Sequence, residues 1–470
     1  MIELSVTDVA VIVGGAIGGS VAAASLSRVI SSVVIDSRLG TAGSLFVALP
    51  GDQVDGHDYL HQAAAAGATA ALVSRPVPDA PLPTVIVPDT ATALAALARE
   101  VLRRLRHTGR IVVVGITGSV GKTSTKDLLS VMLAPLGDVV APVASFNNEI
   151  GLPLTVLRAD ERTRVLILEM GADAPGNLTF LTSIAPPDVA VELIVGHAHL
   201  GGFGSIDGVA RAKAELVQGL APGGVAILNA DDRRVLAMAD QAARVVTFGR
   251  SAEADVRAEQ VTMDADGHAL FTLAAADQRS HLRLELVGEH QVTNALAAAA
   301  VSLHLGQSLA QIAQTLTSAG PISGHRMQTA DTDSGIRVVD DSYNANPDSM
   351  RAGLAAVAAM SASGRRIVAV LGEMLDLGAG ADDEHERIGA LAVQLGFTEV
   401  VVVGSGAEPM FTAVEDAGGS GHFVDSVAAA RSLLSTLLRP GDIVLVKASN
   451  GAGLTHLADW LTTDLELATA

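Results

Sequence analysis

Short apolar runs alternate with longer stretches in which apolar positions recur every three or four residues. Runs such as Leu45–Ala48 and Thr84–Val87 read as buried strands, and Thr90–Leu105 reads as an amphipathic helix. Further strands are predicted at Ile111–Gly115, Val165–Leu168, Val189–Val195, Ile336–Val339, Ile367–Leu371, Glu399–Val403 and Ile443–Val446, with residues 288–318 helical. Strands that alternate with helices imply parallel sheets. A chain of 470 residues makes roughly three domains. The pattern breaks near Gly109, and again at Pro321, Ser323 and Gly324. We therefore expect an α/β chain of three domains. They are a small α/β domain over residues 1–106, a central P-loop parallel-sheet domain over 107–318, and a C-terminal Rossmann-like doubly wound domain over 319–470.

Composition narrows the picture. Hydrophobic residues make up 49% and aromatics only 3%, so the cores must be built from Ala, Val, Leu and Ile. There is no cysteine, which excludes disulfides, thiolate zinc sites and cysteine nucleophiles. The net charge of −20 argues against nucleic acid or an anionic membrane as partner, since both need a basic face. Val9–Ser27 carries no charge, but Gly14, Gly15, Gly18 and Gly19 interrupt it and Glu3 and Asp8 precede it. It fits neither a membrane span nor a signal peptide, so a cytoplasmic chain without membrane insertion is expected.

The strongest local signal is Gly118-Ser119-Val120-Gly121-Lys122-Thr123-Ser124, between an apolar strand and a helix expected over Ser124–Leu133. Glycines let backbone N–H groups converge on phosphate oxygens, and the helix N-terminus adds its positive end. Lys122 is suited to the β- and γ-phosphates of ATP, and the Thr123 hydroxyl to Mg²⁺. The strict G-x-x-x-x-G-K-[ST] spacing is not met, because Ile116 stands where its first glycine belongs. Glu169, at the tip of an apolar strand, is a hard oxygen ligand for Mg²⁺. His199 follows a second strand tip and is read as a ligand, whereas His197 is read as a packed or surface residue. By composition alone Lys213 belongs to an ordinary charged helix face, Ala210–Glu215.

Taken together, Thr117–Thr123, Glu169, His199 and Lys213 resemble the Mur ligases of peptidoglycan synthesis. Asp36-Ser37-Arg38, Gly43–Phe46 and Asp55-Gly56-His57 are similar to that family's uridine-nucleotide domain. Asn147–Gly151 resembles the segment after its nucleotide loop, and Gly288–Ala295 its adenine-side helix. Asp340–Met350, and Leu371–Gly378 with His385, resemble the member that adds D-alanyl-D-alanine. The likeness runs from about residue 36 to about 457.

This resemblance implies an ATP-dependent ligase. It would activate the terminal carboxylate of UDP-N-acetylmuramoyl-tripeptide as an acyl phosphate and couple it to D-alanyl-D-alanine. The implied ATP contacts are Gly118 to Ser124, with Asn294 at adenine, Arg326 at phosphate and Asp341 at ribose. Ser37, Arg38, Asn147, Asn148, Tyr343, Asn344 and Asn346 would meet the substrates. Thr123, Glu169, His199 and a carbamylated Lys213 would hold two Mg²⁺ ions, with Lys122, Glu169, His199 and Lys213 catalytic. A monomer is the family default. Three departures stand out: Ile194 where Asn is common, Glu192 where the residue is uncharged, and Asn450 where Arg is common, after a Lys447-Ala448-Ser449 core that keeps the Lys-x-Ser pattern. Ile194 removes one polar contact, which His197 is placed to replace. A diamino-acid-adding or folate ligase and a non-catalytic nucleotide-binding regulator are the alternatives.

Overall fold

The computed structural model describes residues 1–18, 26–51, 54–107, 109–143, 145–197, 200–361 and 364–465. A short antiparallel ribbon of β1 (Leu4–Ser5) and β3 (Val29–Ile30) precedes the first of three larger sheets. That sheet holds β2 (Ala16–Gly18), β4 (Ser32–Val34), β5 (Ser44–Val47), β6 (Ala70–Val73) and β7 (Thr84–Ile86), in the order β2-β7-β6-β5-β4. All its neighbours are parallel except β2 and β7. Helix α1 (Thr90–His107) buries Leu94, Leu97, Val101 and Leu105. Its last turn carries Arg104, Arg106 and His107, cations that suit a helix C-terminus. Arg106 pairs with Asp188 at 3.1 Å, tying the helix to the next sheet.

The uncharged stretch after Asp8 does not begin as a membrane helix. A helix over Val6–Val13 stops at Gly14, whose φ of 63° is the left-handed conformation glycine adopts without cost. Residues 19–25 lie outside the described set. Among the described residues, no helix is long and apolar enough to cross a membrane.

The second sheet has nine strands: β8 (Val112–Thr117), β9 (Asp138–Val140), β10 (Thr163–Glu169), β11 (Val189–Glu192), β12 (Val225–Asn229), β13 (Val245–Gly249), β14 (Val256–Met263), β15 (His268–Ala275) and β16 (Gln278–Val287). Their order is β16-β15-β14-β13-β12-β11-β8-β10-β9. The parallel part, β9 to β14, carries the phosphate loop on β8 at its centre. The antiparallel wing of β14, β15 and β16 departs from the parallel sheet expected. Strand β11 ends at Glu192, not Val195. The main chain beyond it is taken up by other groups: Asn229 Nδ2 donates to Leu193 O at 2.7 Å and Val195 N donates to Asp232 Oδ2 at 2.8 Å. The region 288–318 holds two helices, α4 (Gln291–His304) and Leu309–Ser318, broken at Gly306 with φ 92°.

The third sheet runs β17-β18-β22-β19-β20-β21, from β17 (Gln328–Asp331), β18 (Arg337–Asp340), β19 (Ile367–Gly372), β20 (Glu399–Val403), β21 (Gly421–Val424) and β22 (Ile443–Lys447). It is the doubly wound sheet expected, with β17 as an antiparallel edge. Helix α5 (Pro347–Met360) starts with a capping box of Asn346 and Ser349 and with Pro347 in its first turn, where proline costs no hydrogen bond.

Candidate active site

Strand β8 delivers the phosphate loop into α2 (Lys122–Met132). Gly121 turns the chain at φ 88°, and a Cβ there would sit 2.3 Å from Asn294 Oδ1. Only glycine meets both demands. Lys122 donates to Gly118 O at 2.7 Å, and burial holds its amino group below the usual lysine range.

Register sets the acids. Glu169 on β10 pairs with Ile116, and Glu192 on β11 pairs with Thr117, so the two glutamates leave the sheet on opposite faces. The Glu169 carboxyl is fully buried. Its Oε2 accepts from Thr123 Oγ1 at 3.4 Å, while Oε1 has no partner. Burial raises its pKa against the pull of Lys122, Lys126 and Arg326. An orphaned carboxylate oxygen beside a threonine hydroxyl suits a hard divalent cation. Among the described residues, no three acids or histidines gather at one point.

Helix α3 (Ile206–Gln218) packs over the other face and buries Lys213. Here both Glu192 oxygens and Thr117 Oγ1 lack partners. Burial pushes the Glu192 carboxyl up and the Lys213 amine down, and Lys122 lowers Lys213 further. Lys213 is therefore no ordinary surface lysine.

From the third domain comes Arg326. Its guanidinium lies 4.2 Å from the Tyr343 ring centroid and donates to Thr123 Oγ1 and Ser145 Oγ, both at 3.3 Å. Its neighbours His325 (φ 58°) and Met327 (φ 51°) are both left-handed, a costly conformation for non-glycine residues. Bonds hold them there: His325 Nδ1 lies 2.6 Å from Asp340 Oδ2, and Met327 N donates to Asp341 Oδ1 at 3.2 Å. Buried Lys447 donates to Asp341 Oδ2 at 2.5 Å and to Asn344 O at 2.9 Å.

Two cavities result. One, of about 250 Å³, is bordered by Ser119 to Ser124, Asn147, Glu169, Asn294, Arg326, Asp341, Tyr343, Asn344 and Asn346. The other, of about 540 Å³, is bordered by Gly118, Lys122, Asn147, Asn148, Lys213 and Asn344. The first domain's residues border neither. Ser37 donates to Gln62 Oε1 at 2.7 Å, and exposed Arg38 grips Asp36 through Nε and Nη2. His199 lies outside the described residues. Asn148 Oδ1 accepts from Gly151 N at 2.9 Å, at the start of the helix Gly151–Val156. His385 is structural, with Nε2 accepting from Met374 N and Nδ1 donating to Ala381 O.

Sequence reasoning did not single out Ser145 or Lys126, and it named Lys447 only in a Lys-x-Ser core and Asp348 only within the run Asp340–Met350. Lys126 and Asp127 form a buried pair that holds Ser323 in the link between domains. Ile194 is accommodated through its main chain, whose carbonyl accepts from Ser119 N at 2.9 Å. His197 is not placed as a substitute ligand, because its N–H and Nδ1 face Asp348 of the third domain.

Three family models match the chain. They are the Mur ligase family catalytic domain over residues 29–101, the Mur ligase middle domain over 116–302, and the Mur ligase, glutamate ligase domain over 325–450. The UDP-N-acetylmuramoyl-tripeptide--D-alanyl-D-alanine ligase of Mycobacterium tuberculosis is 49% identical, with 99% of this chain and 98% of that protein covered. The Escherichia coli ligase of the same name is 34% identical, over 97% and 98%. Among solved structures, MurF from Acinetobacter baumannii matches with a TM-score of 0.86 at 30% identity, over 98% and 99%. MurF from Thermotoga maritima in complex with ADP matches with a TM-score of 0.80 at 28% identity, over 92% and 97%.

Proposed function

This chain belongs to the Mur ligase family, and on that premise we propose that it joins D-alanyl-D-alanine to UDP-N-acetylmuramoyl-tripeptide at the expense of ATP. The γ-phosphoryl group passes to the tripeptide's terminal carboxylate, giving an acyl phosphate and ADP. The dipeptide amine then attacks the acyl carbon and phosphate leaves, so that the pentapeptide forms. The reading makes the chain a cytoplasmic monomer.

The observation that carries this reading is the meeting of two domains around one cleft. The phosphate loop, Thr123 and Glu169 face Arg326, Asp341 and Lys447 across the first cavity, and Lys213 opens onto the second. Phosphoryl transfer asks for alignment and charge neutralisation more than covalent help. The loop amides and Lys122 cradle the phosphates. Asn294 meets adenine, Asp341 the ribose, and Arg326 the developing charge on the phosphoryl group. Tyr343, Asn344 and Asn346 shape the dipeptide side. Asn147 and Asn148 meet the donor peptide, and Ser37 and Arg38 hold the uridine diphosphate. Thr123 and Glu169 would hold one Mg²⁺, with His199 and Lys213 at a second, and these ions supply charge neutralisation between phosphate and carboxylate.

Lys213 acts here as a carbamate. Its depressed pKa favours the neutral amine, which is the form that reacts with CO₂. An ammonium at this place would be repelled by a metal ion, whereas a carbamate is attracted. Lys213→Ala is expected to lose turnover whatever the bicarbonate concentration, and formate is expected to restore part of it. A fully active Lys213→Ala overturns the carbamate.

The test of the reaction is phosphate release from Mg·ATP and the tripeptide nucleotide, with and without D-alanyl-D-alanine. Dipeptide-dependent phosphate with a pentapeptide product by mass is expected. Release instead with the dipeptide nucleotide and a free diamino acid would move the chain to a sister ligase. Binding of both nucleotides without any phosphate release would make it a regulator.

A further inference from the structure

We propose that Asp348 is a closing latch, a positioning residue that docks the third domain on Gly196 and His197 and so fixes the exit of β11 against the phosphate loop. Asp348 lies in the first turn of α5. A carboxylate there already suits its own helix dipole and needs no other partner. Yet Oδ2 accepts from His197 N at 2.7 Å, and Oδ1 lies 3.3 Å from His197 Nδ1. The approach is so close that a Cβ on Gly196 would stand 2.2 Å from Oδ2. Arg351, one turn further on, donates to Oδ1 at 3.1 Å and to Glu384 Oε2 at 2.8 Å, and this aims the carboxylate.

The landing point is itself bonded to the nucleotide site. Gly196 N donates to Ser119 Oγ at 2.8 Å, and Ser119 N donates to Ile194 O at 2.9 Å. Asn346, the cap of α5, reaches Ser119 O at 3.4 Å. One helix turn of the third domain thus touches both segments that border the phosphates. Every one of its contacts there crosses between domains and exists only when they are together. Closure that assembles a site commits the bound substrate.

The chain has no cysteine of its own, so Asp277→Cys and Asp416→Cys, both at exposed positions, give one dye in the central domain and one in the third. Energy transfer is read on adding a non-hydrolysable ATP analogue, and turnover is read on the same protein. Removing a charged acceptor by Asp348→Ala is expected to lower the closed population and kcat roughly tenfold. Asp348→Asn keeps an oxygen for the His197 N–H and is expected to recover most of both. Gly196→Ala, which blocks the approach, is expected to exceed Asp348→Ala in effect. Should Asp348→Ala fail to fold, Asp348→Asn against Gly196→Ala decides by the same readouts. Native closure and kcat in Asp348→Ala, or Asp348→Asn no better than it, overturns the latch. The turnover arm rests on the ligase reading and the energy-transfer arm does not. Absence of pentapeptide from the otherwise native chain sinks that reading and leaves fluorescence to decide the latch.

Discussion

The cleft between the central and third domains and the motif-bearing face of the first domain are both polar, but they stand in opposite conditions. At the cleft, Glu169 Oε1 and Arg326 Nε are buried without a partner, as are both Glu192 oxygens and Thr117 Oγ1 on the opposite face of the sheet. In the first domain the motif residues satisfy one another. Asp36 grips Arg38, Ser37 bonds Gln62, and Asp55 holds both His57 and Arg75. Among the described residues, no orphaned buried side-chain atom precedes Arg106. Buried polar groups without partners are costly, so the cleft is held ready for charged ligands at the expense of the fold. A ligand proposed for the first domain would have to compete with bonds already made.

Glu169→Gln tests the contrast most severely. Activity is expected to fall by at least ~10²-fold, as when a group that stabilises transition-state charge is lost. Stability should move the other way. Burial places the folded pKa of Glu169 above its unfolded value. Stability tied to the protonated form is complete below the unfolded pKa and drains away as pH rises through the folded one. Ligand-free Glu169→Gln should therefore melt above the native chain at pH 8 and match it at acid pH, as read by scanning calorimetry. A lower melting temperature at pH 8 would mean that the fold itself satisfies Glu169.

Tyr343→Ala removes the stack that aims Arg326. A cation–π contact of about 0.5–2 kcal/mol predicts a loss in kcat/KM for ATP of about 2- to 30-fold, with Tyr343→Phe close to native. The smallest effect belongs to the first domain. Arg38 holds the half-buried Asp36 carboxyl down to about 2. Arg38→Ala should leave the melting temperature unchanged and raise KM for the uridine nucleotide by about 2- to 5-fold, with kcat intact. A fall in kcat would place Arg38 in the chemistry and erase the contrast.

The cleft was legible where chemistry is local. Lys122, Thr123 and Glu169 each sit in a pattern whose neighbours announce it, and Asn294, Arg326 and Asp341 came with the resemblance. What stayed hidden depends on partners far along the chain. Ser145 matters because Arg326 reaches it from 181 residues away, and Lys447, legible only as part of a Lys-x-Ser core, matters because it meets Asp341 across 106. The run Val189–Val195 looks like one strand because apolar side chains do not reveal who captures the main chain beyond Glu192. Asp348 reads as a helix-start acid, and nothing local predicts His197 opposite it.

The contact between Gly121 and Asn294 also constrains how such a sequence can change over generations. With 2.3 Å between a hypothetical Cβ and the amide oxygen, and a φ of 88° besides, position 121 cannot take a side chain while Asn294 stands. Any side chain at position 121 must wait for a smaller residue at 294, and that first step gives up the adenine contact proposed for it. The two positions lie 173 apart in the chain, 121 against 294, yet their histories are ordered, and a side chain at 121 should be accepted only after 294 has become smaller.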